Sequence, residues 1–87
     1  MKQRIRFIIN PISGVGKKNI LPNLISRYID ETIFDYDIVY TEFRRHATEL
    51  AKNAVAEGID IVCAVGGDGS VNEVGIALIN TNTSLAI

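Results

Sequence analysis

One glycine-rich segment, Gly66-Gly67-Asp68-Gly69-Ser70-Val71-Asn72-Glu73, contains the residue types that bind phosphate. Its three glycines allow a ligand to approach the backbone closely, and they also allow positive φ angles. Successive N–H groups in such a turn can form an anion-binding nest, and the N-terminus of a following helix adds a partial positive charge. Asp68 would repel bare phosphate, but it fits a site where Mg²⁺, or a water on it, lies between the carboxylate and the phosphates. The segment therefore predicts a Mg-nucleotide site.

The same segment also allows a purely structural interpretation. Ser70 and Glu73 have the Ser-x-x-Glu spacing of a capping box, which would start a helix with no ligand present. The glycines would then form only a tight turn between a strand and that helix. From the sequence, capping and ligand contact both stay open for these two side chains.

Two other phosphate-binding motifs are absent from the sequence. A P-loop that ended in Gly16-Lys17 would need glycine at position 11 and serine or threonine at position 18, where the chain has Pro11 and Lys18. The two partial dinucleotide fingerprints, which start at Gly14 and Gly67, have asparagine in place of the third glycine. The glycine-rich segment must therefore be interpreted without either motif.

Four apolar segments predict the strands that hold this turn. Residues 5–9 and 34–40 are short apolar runs bounded by turn residues. Residues 59–65 form a β-branched run suited to the centre of a parallel sheet. The final residues, Leu85-Ala86-Ile87, are expected to open a fourth strand.

Apolar residues at helical spacing predict three helices between these strands. Residues 18–30 and 46–57 each have one apolar stripe, and Gly58 is expected to cap the second helix at its C-terminus. A third helix is expected from about Val71 to Ile79. Because it is apolar on nearly every side, we expect it to be buried.

The alternation of strands and helices indicates an α/β fold, with a three-layer, Rossmann-like parallel sheet and helices on both faces. Ligands of such sheets bind at the carboxyl ends of the strands. The turns at 10–16 and 66–69 both follow strands, so we expect them at one edge of the sheet. Because the chain stops within the predicted fourth strand, we also expect that Ile87 is not the natural end of the protein.

The composition limits the classes of function. Eighty-seven residues form at most one small domain, and a formal net charge of −1 gives no overall field to attract nucleic acid. The single cysteine, Cys63, cannot build a disulfide framework; we expect it in the core and expect a reducing compartment. No stretch approaches the roughly 20 apolar residues of a membrane span.

Small basic clusters and one histidine carry less information. We expect the clusters to lie on solvated faces; they are Lys2, Arg4 and Arg6, then Lys17 and Lys18, then Arg44 and Arg45. His46 could orient a loop or approach a substrate, but a surface position near a helix start is the simpler expectation.

Separated motifs of the chain resemble the catalytic-domain signature of the diacylglycerol kinase family, which includes sphingosine and ceramide kinases and bacterial lipid kinases. The motifs are Asn10-Pro11-Ile12-Ser13-Gly14 and, further along, the segment from Gly66 to Val74, where Ser70 replaces the family's usual threonine and keeps the hydroxyl. Thr41 and the segment from His46 to Ala51 are similar to the family's threonine and His-Ala pattern. NAD kinases and phosphofructokinases are similar at Gly-Gly-Asp-Gly alone, whereas Asn72-Glu73 and the upstream motif favour the lipid-kinase branch.

This resemblance implies a lipid kinase that uses ATP and Mg²⁺, with Asp68 as the catalytic residue that acts through the metal or a water. It implies ATP contacts from Asn10, Pro11, Ser13, Gly14 and Thr41, and phosphate contacts from Gly66, Gly67, Asp68, Gly69, Ser70, Val71 and Asn72. Glu73 would contact the ribose or cap the helix.

The resemblance also implies features beyond this chain. Family members continue with a Pro-x-Gly-Thr/Ser-Gly-Asn-Asp segment and a β-rich C-terminal domain, so residues 1–87 would be a partial N-terminal ATP-binding domain, inactive when isolated. The implied substrate is diacylglycerol or a similar lipid at a membrane surface, with no nucleic acid partner, a cytoplasmic or peripheral location, and a homodimer left open. Three alternatives remain: an NAD-kinase-like soluble enzyme, a non-catalytic nucleotide-binding module, and an interaction domain with a structural glycine turn.

Overall fold

A parallel sheet with helices packed against it forms the framework of the computed structural model. The structure describes residues 2–11, 21–43 and 45–86, with the backbone alone for Leu21 and Asp68. The strands are β1 (Gln3–Ile9), β2 (Phe34–Tyr40), β3 (Ile61–Val65) and β4 (Ser84–Ala86), and the helices are α1 (Leu21–Tyr28), α2 (His46–Ala56) and α3 (Asp68–Leu78). The strands lie in the order β2-β1-β3-β4, and each neighbouring pair is parallel. The predicted α/β class is confirmed.

The strand order assigns the helices to the two faces of the sheet. Helix α1 connects β1 to β2 in one direction across the sheet, whereas α2 and α3 connect strands in the opposite direction. Because such crossovers are right-handed, α1 belongs on one face and α2 with α3 on the other. Val74 and Leu78 of α3 share a buried cluster with Ala51 of α2, as expected for two helices on one face.

The main core lies between the sheet and this helix pair. Helix α2 contributes a stripe of small side chains with at most 2% of their surface exposed, namely Ala47, Ala51 and Ala54. The sheet contributes Ile8 from β1 and Val62 and Ala64 from β3 to the same cluster. Burial of these apolar surfaces stabilises the arrangement that places the strand ends next to one another.

Helix α2 ends at the predicted glycine. Gly58 has a φ of 76°, in the left-handed region that glycine adopts without strain. Its N–H donates to the carbonyl of Val55 at 3.1 Å, and the N–H of Ile59 donates to the carbonyl of Ala54 at 3.0 Å. These two bonds form a Schellman motif. Because the cap uses the Ile59 N–H, β3 begins at Ile61, later than the predicted position 59.

Arg6 is buried, so the expectation of a solvated face is wrong for this residue, although Lys2 and Arg4 are exposed. Its guanidinium forms ion pairs with Asp37 at 2.9 Å and with Glu57 at 2.8 Å. The hydrogen bonds to both carboxylates raise the pKa of Arg6 further above its ordinary value. Arg6 lies opposite Asp37 in the β1–β2 register, and Glu57 follows the end of α2, so tertiary packing covers this arginine.

Helix α3 differs from its prediction in two ways. It begins at Asp68, before the predicted Val71, and it ends at Leu78. Only one face is buried: Val74 is fully buried, whereas Ile76 is 60% exposed. The expectation of burial on all sides is therefore wrong, because α3 packs against α2 and the sheet on one face only. In the described part of the chain, no helix has the length and apolar character needed to cross a membrane.

Candidate functional site

The carboxyl ends of β1, β2 and β3 meet at one edge of the sheet. Asn10 follows β1, and its N–H donates to the carbonyl of Val65 at the end of β3 over 2.9 Å. Thr41 follows β2, and its N–H donates to the carbonyl of Ile9 over 2.9 Å. These bonds extend the ladder beyond the strands and place Asn10, which opens the predicted turn, beside the glycine-rich turn. Residues 12–16 of the predicted turn lie outside the described residues.

Gly66 provides the close contact between the two turns. A Cβ at this position would lie 3.1 Å from the Cβ of Asn10 and 3.1 Å from the Oγ of Ser70. Gly67 and Gly69 differ, because a Cβ on either would meet no atom within 4 Å. Of the described glycines, Gly58 alone has a positive φ, so the glycines of this turn do not adopt the positive φ angles that they allow. Close packing against Asn10 and Ser70 therefore favours glycine at position 66, whereas Gly67 and Gly69 border open space.

The start of α3 excludes the capping box that the sequence suggested. Gly67 is the N-cap residue, with φ −78° and ψ 178°, and no side chain caps the helix there. The N–H groups of Ser70 and Val71 both donate to the Gly67 carbonyl, at 3.1 and 3.3 Å. Ser70 is therefore inside the first turn and cannot be the N-cap residue. The N–H groups of Asp68 and Gly69 precede these bonds and face any ligand that lies at the helix end.

An edge cleft of about 230 Å³ lies over these strand ends. Six of the predicted site residues line it: Asn10, Thr41, Gly67, Gly69, Ser70 and Glu73. Phe43, Arg45 and Ala47, which the sequence did not suggest, complete its described lining. A second cavity, of about 520 Å³, is lined by Pro11, Tyr40, Thr41 and Glu42 and shares Thr41 with the edge cleft.

Some of the other predicted site residues lie away from the edge cleft, and some lie outside the residues that the structure describes. Val71 packs against the core cluster, and Asn72 is exposed and is not among the described lining of the edge cleft. The backbone of Asp68 lies at the start of α3, but its side chain is not among those that the structure describes. Ser13 and Gly14 also lie outside the described residues. Their roles in binding stay predictions.

Glu73 lines the edge cleft and has one buried side-chain oxygen, Oε1, without a hydrogen-bond partner among the described residues. A buried acceptor without a partner costs free energy. Among the described side chains, which do not include that of Asp68, no three acidic, histidine or cysteine residues are grouped to hold a metal ion.

His46 orients the loop between β2 and α2. Its Nδ1 accepts a hydrogen bond from the N–H of Glu42 at 2.9 Å, and its ring stacks on Phe43 with centroids 4.1 Å apart. The loop-orienting alternative for His46 is thus confirmed, and its half-buried side chain is not simply a surface group. Phe43 is 59% exposed at the edge cleft. Sequence reasoning missed it because an isolated aromatic in a loop follows no periodic pattern.

A family model for the diacylglycerol kinase catalytic domain matches residues 4–87. The chain belongs to this family. A diacylglycerol kinase of Staphylococcus saprophyticus is 36% identical over 90 residues, which cover 100% of this chain and 29% of that protein. One from Staphylococcus aureus strain MRSA252 is 38% identical over 75 residues, which cover 85% of this chain and 24% of that protein. This diacylglycerol kinase-family chain therefore spans less than a third of the length of these relatives.

Solved structures support the same fold for this diacylglycerol kinase-family chain. A crystal structure described as a diacylglycerol kinase from Bacillus anthracis matches with a TM-score of 0.70 at 23% identity, over 95% of this chain and 31% of that chain. Another solved structure from that organism has a TM-score of 0.72 at 24% identity, over 95% of this chain and 30% of that chain. At such identities the likeness concerns the fold, and it agrees with the parallel sheet described above.

In this family member, Arg45 lines the edge cleft although the sequence did not predict it as a site residue. It was expected on a solvated face; the structure leaves it exposed but places it in the lining of the edge cleft. It precedes α2 with a φ of 67°, one of two positive φ angles among the described non-glycine residues. No sequence signal distinguishes Arg45 from its neighbour Arg44, which lies outside the described residues.

Proposed function

We propose that this chain is the nucleotide-binding part of a lipid kinase that transfers the γ-phosphoryl group of ATP to a hydroxyl of diacylglycerol or a related lipid. One observation carries the proposal. The edge cleft gathers Asn10, Thr41 and the glycine-rich turn from three different strand ends, in a chain that belongs to the diacylglycerol kinase catalytic domain family. The carboxyl edge of a parallel sheet is where such folds bind ligands.

The described residues fit a nucleotide with several phosphates. Gly67 and Gly69 border open space, so phosphate oxygens can approach the backbone at the start of α3. The N–H groups of Asp68 and Gly69 can donate to those oxygens, and the helix end adds a favourable partial charge. Glu73 lines the same cleft, and a carboxylate can accept a hydrogen bond from a ribose hydroxyl or a base amine. These observations support ATP as the donor.

Phosphoryl transfer depends on alignment and on neutralisation of charge, and both tasks suit this edge of the sheet. We assign the binding of the phosphates to the turn from Gly66 to Ser70, and the orientation of the nucleotide to Asn10 and Thr41. Asp68 is the residue that we assign to Mg²⁺, directly or through water. When bound, Mg²⁺ supplies positive charge that stabilises the phosphate oxygens.

The lipid acceptor would bring the enzyme to a membrane surface. We propose a cytoplasmic protein that binds the membrane peripherally, and the absence of a spanning helix in the described residues is compatible with this location. Because the chain spans 29% of the Staphylococcus saprophyticus relative, we propose that parts of the full-length protein outside these 87 residues contact the lipid. The full-length protein here means the longest natural polypeptide that contains this chain.

The test is transfer of labelled phosphate from Mg-ATP to a panel of lipids by the full-length protein. We expect labelled diacylglycerol or a related lipid, and a loss of at least roughly a hundredfold in rate for Asp68→Asn. The matched control is Asp35→Asn, because Asp35 is an exposed carboxylate on β2 that pairs with Lys2, remote from the described lining of the edge cleft. The control is expected to retain the rate of the unmodified protein.

Each alternative has its own result in this experiment. Labelled NAD or labelled sugar phosphate without labelled lipid would reject the lipid acceptor and retain the phosphate site. Binding of Mg-ATP with no transfer to any acceptor would indicate a regulatory module. If Mg-ATP causes no NMR shift at residues 66–70 in folded protein, the glycine-rich turn is structural and the proposal fails.

A further inference from the structure

Arg45 occupies a position that local physics assigns to other residue types. It is the N-cap residue of α2, with φ 67° and ψ 7°, and its side chain makes no capping hydrogen bond. The left-handed region favours glycine or asparagine, and N-cap positions favour asparagine, aspartate, serine and threonine. A positive side chain at a helix N-terminus is also disfavoured by the helix dipole. Folding alone therefore gives no reason for arginine here.

The guanidinium of Arg45 has no partner among the described residues, unlike the basic side chains near the start of the chain. Arg6 is held by two carboxylates, and Lys2 pairs with Asp35. Arg4 donates to the carbonyl of Glu57 at 2.8 Å. The side chain of Arg45, by contrast, is exposed and has no ion pair or hydrogen bond within the described ranges, although it borders a cavity.

The cavity that Arg45 borders contains the surfaces expected to meet phosphate. Gly67, Gly69 and Ser70 line the same edge cleft from the start of α3. The acidic member of its described lining is Glu73, whose Oε1 is unpaired, and Arg45 forms no ion pair with it. A free guanidinium that shares a cleft with an anion-binding turn is suited to bidentate contact with phosphate oxygens.

We propose that Arg45 is a phosphate-binding residue of this site, which contacts the polyphosphate of the nucleotide from the side opposite the glycine-rich turn. The inference rests on the proposed function and adds a specificity: Arg45 makes the site prefer nucleotides with several phosphates over nucleosides. The local cost of arginine at this N-cap position is then offset when the nucleotide binds. Arg45 is thus a residue whose type is set by the ligand and not by the fold.

The test compares Arg45→Asn with the unmodified full-length protein, because asparagine suits both the left-handed backbone and the N-cap position. Calorimetric titrations would measure the affinities for Mg-ATP and for adenosine, and thermal unfolding would measure the stability of the free protein. We expect Arg45→Asn to weaken Mg-ATP binding by about tenfold or more, since charge-assisted hydrogen bonds to phosphate are lost. Adenosine affinity is expected to stay within about twofold, and the midpoint of thermal unfolding is expected to rise.

Two controls make the result specific. Lys52→Gln removes one positive charge from an exposed position on α2 outside the described lining of the edge cleft, and it should leave Mg-ATP affinity unchanged. Arg45→Lys keeps the charge and is expected to retain part of the affinity, which also tests the site if the asparagine variant does not fold.

The outcomes separate this inference from the proposed function. If the unmodified protein binds Mg-ATP and Arg45→Asn binds it equally well, the role of Arg45 is rejected and the proposed function stands. Equal losses for Mg-ATP and adenosine would also reject a phosphate contact. If the unmodified protein binds no Mg-ATP, the proposed function and the inference both fail.

Discussion

Asn10 and Gly66 are in contact across the ends of β1 and β3, where a Cβ on Gly66 would lie only 3.1 Å from the Cβ of Asn10. One residue belongs to the first turn and the other to the glycine-rich turn. The Asn10 N–H also donates to the carbonyl of Val65, the residue before Gly66. The residues that follow β1 and β3 are therefore packed directly against each other, and changes at Gly66 should act through packing before they act through a ligand.

Gly66→Ala and Gly69→Ala should separate packing from binding. The new methyl group at position 66 would crowd Asn10 and Ser70, so we expect a loss of about 1–3 kcal/mol in the free energy of unfolding. At position 69 no atom lies within 4 Å, and alanine favours the helix by up to about 1 kcal/mol. Gly69→Ala should thus keep or raise stability while it weakens Mg-ATP binding. Urea unfolding and calorimetric titration measure the two effects, and equal stability losses for both variants would contradict the packing argument.

Ser70→Ala tests where α3 begins. Because Gly67 is the N-cap residue and Ser70 lies inside the first turn, we expect the free energy of unfolding to change by less than about 0.5 kcal/mol. If Ser70 were the N-cap residue of a capping box, the loss would be about 1 kcal/mol. Chemical denaturation of the free protein distinguishes the two values. The capping-box interpretation would return if the larger loss were found together with a loss for Glu73→Gln.

Acid should destabilise the protein partly through the ion pair between Arg6 and Glu57. The hydrogen bond from Arg6, with the attraction of its charge, lowers the pKa of Glu57 below its ordinary value of 4.5. A carboxylate whose pKa is lower in the folded state contributes stability that is complete above the ordinary pKa and is lost as the pH falls through the folded value. We therefore expect Glu57→Gln to lower the midpoint of thermal unfolding at neutral pH.

The pH dependence of that difference is the decisive measurement. Between about pH 6 and about pH 2 the unmodified protein should approach Glu57→Gln in stability, because protonation removes the same charge. Glu31→Gln is the control, since Glu31 is an exposed turn residue with no ion pair within the described ranges. A constant gap between the unmodified protein and Glu57→Gln across this pH range would show that the ion pair does not contribute in this way.

Cys63 should react slowly with thiol reagents while the protein is folded. Its side chain is half-buried, which falls short of the full core position expected from the sequence, and burial raises the pKa of its thiol above 9.0. The thiolate is the reactive form, so at pH 8 we expect labelling by Ellman's reagent to be at least about tenfold slower in native than in urea-unfolded protein. Because Cys63 is the single cysteine in the sequence, the absorbance change reports this residue alone. Similar rates in both states would show that the thiol is accessible and unperturbed.

The residues and their periodicity were enough to place most elements. The predicted strand at 34–40 matches β2. Gly58 ends α2 as its position in the sequence indicates, because a glycine directly after an apolar helical stripe commonly adopts the left-handed conformation that ends a helix. The alternation of strands and helices was enough to predict that the sheet is parallel. That order also placed Asn10, Thr41 and the glycine-rich turn at one edge, since parallel strands all end on the same side.

Local patterns were insufficient where two elements compete for the same residues. Ser70 has the spacing of a capping residue, but the helix starts earlier. The N–H groups of Ser70 and Val71 donate to the Gly67 carbonyl, and Gly66 packs closely against Asn10 and Ser70. Arg6 lies on a strand in which charged and apolar residues alternate, which predicts an exposed side chain. Arg6 is buried instead, because it packs beside the end of α2 and pairs with Asp37 and Glu57.

The sequence by itself determined the α/β class, the order of its elements and the position of the glycine-rich turn after a strand, because periodicity and glycine content are local properties. Only the tertiary structure decided which side chains share the edge cleft with that turn. Phe43 and Arg45 reach it because β2 lies beside β1 and the loop after it is held by His46, which bonds to the Glu42 N–H. Such contacts depend on strand order and loop conformation, and these are set by packing of the whole sheet rather than by any segment of it.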